Sequence, residues 1–226
     1  MIEYKNMNKN FINIKQINKE KRFDTNVPLL IGDREGLEFT NYQKAAQQVA
    51  KRINLQLGNV TVLELCCGVG ATTVFLAKQL SKIIAVDLLP QRIQAAKINA
   101  KNFGVENKIE FWQEDVMVEA ILMNAQKKNV KAVFIDVEWR SNRDQKTNHH
   151  TTDLSKTIPS ATVLFEKVKR LVTDNIILHV SPAIDEKQLR KLGKCEIEKC
   201  YFQNELKFFN VYYGKFRKKA SSKLMM

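Results

Sequence analysis

Val60-Thr-Val-Leu-Glu-Leu-Cys-Cys-Gly-Val-Gly-Ala-Thr-Thr-Val-Phe-Leu-Ala-Lys78 is the stretch whose reading decides the fold. An apolar run reaches Glu64, two glycines follow one residue apart at Gly68 and Gly70, and an apolar segment from Thr72 to Leu80 has helical character. This is the pattern of buried strand, tight turn and helix. Glycine has no Cβ and tolerates positive φ, so such a turn lets backbone N–H groups and a helix N-terminus approach a polar ligand. The loop reads as a nucleotide-type cofactor site.

Downstream, the same alternation repeats. Lys82–Val86 is a β-branched strand ending at Asp87, where one carboxylate can accept hydrogen bonds from both ribose hydroxyls of a nucleoside. Pro90 opens a helix through Asn102, with Gly104 as its C-cap, and Lys108–Trp112 is a third strand followed by Glu114 and Asp115. Asp115 would face the same crevice. A helix over Ile121–Lys128 and a strand over Val130–Ile135 lead into Asp136-Val-Glu-Trp139, an acid and an indole suited to a flat substrate. The polar neighbours Arg140, Asn142, Arg143 and Asp144 predict an exposed Trp139. Ile158–Val172 is expected to be helical, Asn175–Val180 a strand and Asp185–Leu192 a helix. Cys195–Tyr201 and Lys207–Tyr213 form a terminal hairpin.

Upstream, Asn41–Ile53 has apolar residues at helical spacing with Thr40 or Asn41 as N-cap, and Arg22–Gly36 reads as extended and turn-rich. Met1–Lys21 alternates Ile or Phe with Asn and Lys and reads as a short helix or an ordered arm. The expected architecture is α/β: a Rossmann-like, seven-stranded, mostly parallel sheet with a C-terminal antiparallel hairpin and helices on both faces. Where a dinucleotide fingerprint places its third glycine this chain has Thr73, which argues against a dinucleotide dehydrogenase.

The 226 residues carry 37 Lys and Arg against 24 Asp and Glu, a formal charge of +13, which points to a polyanionic partner with nucleic acid ahead of a membrane surface. Cys66, Cys67, Cys195 and Cys200 match neither a disulfide framework nor a zinc spacing and read as reduced thiols. His149 and His150 lack a third spaced ligand, so no metal is expected. No apolar run reaches the length of a membrane span and the N-terminus is not signal-like, so an intracellular protein, nuclear or cytoplasmic, is expected.

Several blocks in order resemble the trimethylguanosine synthase family, RNA-cap guanine-N2 methyltransferases that use S-adenosylmethionine. They are Arg22-Phe-Asp24, Asp33-Arg-Glu-Gly36, Cys67-Gly-Val-Gly70, Val86-Asp87 with Pro90, Lys108-Ile-Glu-Phe111, Trp139, Asn175-Ile-Ile177, Glu196-Ile-Glu198, Asn204-Glu-Leu-Lys207 and Tyr212-Tyr-Gly214. The resemblance implies a methyltransferase domain over residues 55–216, an N-terminal extension over 1–54 and a basic tail over 217–226. It also implies that Glu64, Gly68 and Gly70, with Cys66 and Thr72 beside them, wrap the methionine end of the cofactor. Asp87 would hold the ribose and Asp115 would lie at the adenine amino group. Trp139 would stack on the base, Asp136 would accept from the target amine, and Glu138, Arg140 and Arg143 would bind substrate, the two arginines at the cap phosphates.

The turn departs from the family, which reads Ser-Pro-Pro before the tryptophan where this chain has Asp136-Val-Glu138; Asn41-Tyr-Gln43 and Ser181-Pro-Ala183 depart as well. Capped RNA is the expected substrate. An internal base of RNA or DNA, or a non-catalytic RNA-binding role, are the alternatives.

Overall fold

The computed structural model describes residues 10–141 and 150–226. The elements are, in chain order, β1 (Ile12–Asn13), β2 (Ile31–Gly32), α1 (Arg34–Glu38), α2 (Gln43–Leu57), β3 (Thr61–Leu65), α3 (Ala71–Gln79), β4 (Lys82–Asp87), α4 (Pro90–Asn102) and β5 (Ile109–Gln113). Then come α5 (Glu119–Lys127), β6 (Ala132–Ile135), α6 (Ala161–Leu171), β7 (Ile176–Val180), α7 (Glu186–Lys191), β8 (Cys195–Phe202), β9 (Glu205–Tyr213) and β10 (Ser221–Met225).

The main sheet runs β10-β8-β9-β7-β6-β3-β4-β5. β3 pairs in parallel with both β4 and β6, and the sheet continues in parallel to β5 on one side and β7 on the other. β9 then enters antiparallel between β7 and β8. Alternate residues of each central strand feed two cores. Val62, Ile83, Ala85 and Phe134 pack with α2, α3 and α4 through Val49, Ile53, Val74, Phe75 and Ile93. Leu63, Leu65, Ile84, Val86, Ile135 and Leu178 pack with α5, α6 and α7 through Leu122, Leu164, Phe165 and Leu189. Strands buried on both faces are continuous apolar runs, which is why Lys82–Asp87 and Ala132–Ile135 stand out in the sequence. Chain order reverses between β3 and β6, and the crevice outside their carboxyl ends is where open α/β sheets bind ligands.

The seven expected strands of this sheet are all present, and an eighth joins them: the tail over Ser221–Met225 adds β10 in parallel to β8. Glu196 Oε2 starts this docking by accepting from the backbone N–H of Lys218 at 2.9 Å. The hairpin turns at Gln203 and Asn204, both left-handed (φ 51° and 64°), as a two-residue hairpin turn with matching twist requires.

Other boundaries differ. Neither Thr40 nor Asn41 caps α2: Tyr42 occupies the N-cap without a side-chain bond, and the Thr40 hydroxyl donates instead to the Leu37 carbonyl at 2.9 Å. Arg22–Gly36 is not wholly extended, because Asp33 caps α1 by accepting from the Gly36 N–H at 3.1 Å. Ile158 and Pro159 precede α6 rather than belong to it; Ile158 forms a bridge with Glu138, and the Ile158–Pro159 bond is cis.

Candidate active site

The two glycines of the central loop do different work. Gly68 has φ +55°, and a Cβ built there would meet nothing within 4 Å, so its backbone lies open to approach. Gly70, at φ +79°, would place a Cβ 2.9 Å from that of Ala96; it is glycine because α4 passes against it. The Gly68 N–H donates to Oδ2 of Asp87 at 2.8 Å, and the Leu89 N–H donates to Oδ1 at 3.0 Å. A carboxylate has about four lone-pair sites, so each oxygen keeps capacity for a ligand hydroxyl.

Gly68, Asp87 and Leu89 border a cavity of about 1100 Å³. Cys66, Gly68, Thr72, Asp87 and Asp115 line it on one side, and Asp136, Glu138, Trp139 and Arg140 on the other. Nine of the residues singled out from sequence are therefore brought together at the β3/β6 switch point. Glu64 and Gly70 do not line it: Glu64 is 1% exposed on β3, beneath the loop. Arg143 lies outside the described residues, as does His149. The bare backbone at Gly68, the doubly anchored Asp87 and the exposed Asp115 fit a nucleoside-bearing cofactor.

Two carboxyls in this floor are strongly shifted. Burial raises Glu64 to about 8, helped by the negative charges of Asp136 and Asp87. Burial also raises Asp136 to about 6, partly offset by His179. Glu64 is mostly protonated at neutral pH and Asp136 mostly ionised, so Asp136 is the acceptor of the two.

The acceptor turn is held by charges that no local reading shows. Arg140 ion-pairs with Glu138 and with Glu35 of α1, and its guanidinium lies 4.9 Å from the Phe39 ring centroid. Glu35 also pairs with Arg92 of α4 at 2.9 Å, and Arg92 with Asp33 at 2.7 Å. This ladder ties the Asp33-Arg-Glu-Gly36 block across both sides of the cavity. A Cβ on Gly36 would fall 2.6 Å from Cγ1 of Val69, so the block closes directly on the glycine loop. Asn99 completes the junction, donating to the carbonyls of Ile31 and Val69, both at 2.8 Å.

Trp139 is half-buried, not exposed as its neighbours suggested. The His150 ring stands edge-on at 5.0 Å and His179 lies 5.2 Å away at 36°. Lys19, Arg22 and Lys207 line another part of the wall; partial burial and the charges of Arg22 and Lys207 push the Lys19 ammonium down. These cations and His179 are the site residues sequence reading missed. His179 carries one visible signal, an imidazole inside the apolar strand Ile176–Val180. Among the described residues no group of three or more His, Cys, Asp or Glu is placed to hold a metal, and no helix is long and apolar enough to cross a membrane.

The model of a protein family described as RNA cap guanine-N2 methyltransferase matches residues 59–216. An uncharacterized RNA methyltransferase of Nostoc is 34% identical over 105 residues, covering 41% of this chain and 22% of the relative. One of Chlamydia caviae is 35% identical over 68 residues, covering 30% and 17%. The chain covers less than a quarter of the length of these curated relatives. Among solved structures, a methyltransferase from Porphyromonas gingivalis aligns with a TM-score of 0.64 at 16% identity, covering 80% of this chain and 42% of that one. One from Geobacter sulfurreducens aligns at 0.52 and 13%, covering 88% and 85%. At these identities the likeness is one of fold.

Proposed function

The chain belongs to the RNA cap guanine-N2 methyltransferase family, and from that premise we propose that it methylates the N2 amine of a (7-methyl)guanosine cap or cap-like guanosine on RNA. Its cofactor, S-adenosylmethionine, supplies when bound an electrophilic methyl carbon on a sulfonium. The observation that carries the reading is the meeting of Asp136 and Trp139 with Gly68 and Asp87 around one cavity at the β3/β6 switch point.

Cys66, Gly68, Thr72, Asp87 and Asp115 are the residues proposed to hold the cofactor, with Asp87 at the ribose and Asp115 at the adenine. Glu64 and Gly70 act from behind, the first as a neutral floor and the second by letting α4 close on the loop. Trp139 stacks on the base, whose cationic 7-methyl form is attracted to the negative face of the indole. A guanine amine is a weak nucleophile because its lone pair is delocalised into the ring. Asp136, ionised at neutral pH, accepts from its N–H and favours a pyramidal nitrogen; positioning and electrostatics carry the acceleration.

Glu138 and Arg140 hold the turn through Glu35, which leaves Arg140 less available for phosphate than its charge alone suggests. Phosphates of a capped end would meet Lys19, Arg22 and Lys207, with Arg143 as a further candidate. The carboxylates at Asp136 and Glu138 favour one second reading, the amine of an internal base. Replacing Asp136 by Ala tests the role: turnover is lost while affinity for S-adenosylhomocysteine is kept, and an unchanged rate would refute it.

A further inference from the structure

A buried polar chain runs along one face of the sheet, from Arg52 of α2 to the acceptor end of the cavity. Arg52 pairs with Glu196 at 3.0 Å and Glu198 at 3.5 Å. Glu198 Oε2 accepts from the Tyr212 hydroxyl at 2.8 Å and from Nδ2 of Asn210 at 3.5 Å. Asn210 Oδ1 lies 2.8 Å from Nδ1 of His179, which is 3% exposed and borders the cavity.

This arrangement fixes the state of the imidazole. Turning the Asn210 amide over would set its oxygen against the Glu198 carboxylate, so Oδ1 faces the ring, and an oxygen can only accept. Nδ1 therefore carries the proton, and Nε2 of the neutral ring holds the lone pair. Among the described residues Nε2 has no hydrogen-bond partner. The ring sits between Trp139, Phe134 and Phe208, at centroid distances of 5.2, 6.1 and 4.4 Å. It is on β7 next to β6, whose paired register ends at Ile135↔Leu178, one residue before Asp136 and His179.

We infer that His179 is a proton acceptor of the acceptor pocket, taking through Nε2 the proton that the methylated amine must lose. The inference rests on the proposed amine acceptor and deepens it. In the step, the amine lone pair forms the new N–C bond and the electrons of the broken S–C bond stay on sulfur, which becomes a neutral thioether. The nitrogen, now cationic, gives its proton to Nε2, and the imidazolium later passes it to solvent. The acceptor base is already cationic in its 7-methyl form, so leaving a second positive charge on it against Trp139 is costly in a pocket of low dielectric. An imidazole held through Nδ1–H by Asn210 can take that proton at Nε2 without turning its ring. The titratable groups around the ring are Asp136 on the β6 side, Glu198 and Cys200 through Asn210, His150 across Trp139, and Glu64 beneath Asp136.

The experiment joins two readouts. The chain has three histidines, so nitrogen-15 spectra of histidine-labelled protein resolve each ring, with His179→Gln identifying this one. The expected result is a neutral ring that carries its proton on Nδ1 and leaves Nε2 bare. A proton on Nε2 of the neutral ring overturns the proposal whatever the acceptor is.

In the second readout, methyl transfer to a 7-methylguanosine-capped oligonucleotide is followed against pH. His179→Gln should lower kcat about 10²-fold, with unchanged affinity for S-adenosylhomocysteine. A kcat within about threefold of the parent, against that 10² expectation, overturns the proposal. Absence of transfer to capped RNA counts against the guanosine reading alone, and the tautomer then decides the role of His179.

Discussion

The backbone N–H of Gly68 donates to Oδ2 of Asp87 at 2.8 Å, so the loop after β3 and the end of β4 are held by one carboxylate that also faces the cavity. Hydrogen bonds to a charged group contribute roughly 1.5–3 kcal/mol each. Asp87→Ala should therefore weaken S-adenosylhomocysteine binding by about 10–100-fold, read by calorimetry. Affinity within a few-fold of the parent would remove Asp87 from the cofactor site.

Glu64 gives a prediction about stability. Its folded pKa, about 8, lies above the ordinary value of 4.5. Relative to an ordinary glutamate it therefore favours the folded state below pH 4.5, and that contribution is lost as pH rises to about 8. Glu64→Gln, neutral at every pH, should be more stable than the parent at pH 7.5 by on the order of 2–4 kcal/mol and flatten the pH dependence. Denaturant unfolding at pH 5 and pH 7.5 checks this. A destabilised Gln variant at pH 7.5 would mean that the carboxylate is the working form.

The buried Arg52 cluster should be brittle. Arg52 faces Glu196 and Glu198, which are 0% and 2% exposed, and its guanidinium lies 3.9 Å from the Tyr212 ring centroid. Arg52→Met leaves two buried carboxylates without their cation, a loss of about 3–5 kcal/mol by thermal or denaturant unfolding. Because Glu196 also accepts from the Lys218 N–H, exchange protection along β10 should fall with it.

Glu35 tests whether α1 serves the acceptor side. Glu35→Gln weakens the pairs to both Arg92 and Arg140 while leaving each arginine another acid. Stability should drop by only about 0.5–1.5 kcal/mol. The KM for RNA should rise several-fold, with S-adenosylhomocysteine affinity unchanged. Equal losses on both ligands would make the ladder a general brace.

What could be read from the chain follows the range of the forces involved. The strand, glycine turn and helix over Thr61–Gln79 are set by local apolar runs and backbone permissiveness, and so are legible. The acids at the ends of β4, β5 and β6 then place Asp87, Asp115 and Asp136 at one edge of the sheet. Arg140 reads from sequence as a phosphate ligand because one of its two partners, Glu35, is 105 residues away. Helix α1 was hidden because its five residues are positioned by contact with Val69 more than by periodicity. Ser221–Met225 is a strand because β8 offers an open edge, which its own polar sequence does not announce. His179 is one polar residue in an apolar strand, and its role depends on Asn210 of a strand that arrives 31 residues later.

The central claim is transfer of methyl to a cap guanosine amine by way of Asp136 and Trp139. Labelled S-adenosylmethionine, offered with 7-methylguanosine-capped and uncapped forms of the same RNA, tests it most directly when the product is digested to nucleosides. Label is expected in an N2-methylated 7-methylguanosine from the capped RNA and is lost in Asp136→Ala. Label confined to the uncapped RNA, or found in an internal nucleoside, would contradict it.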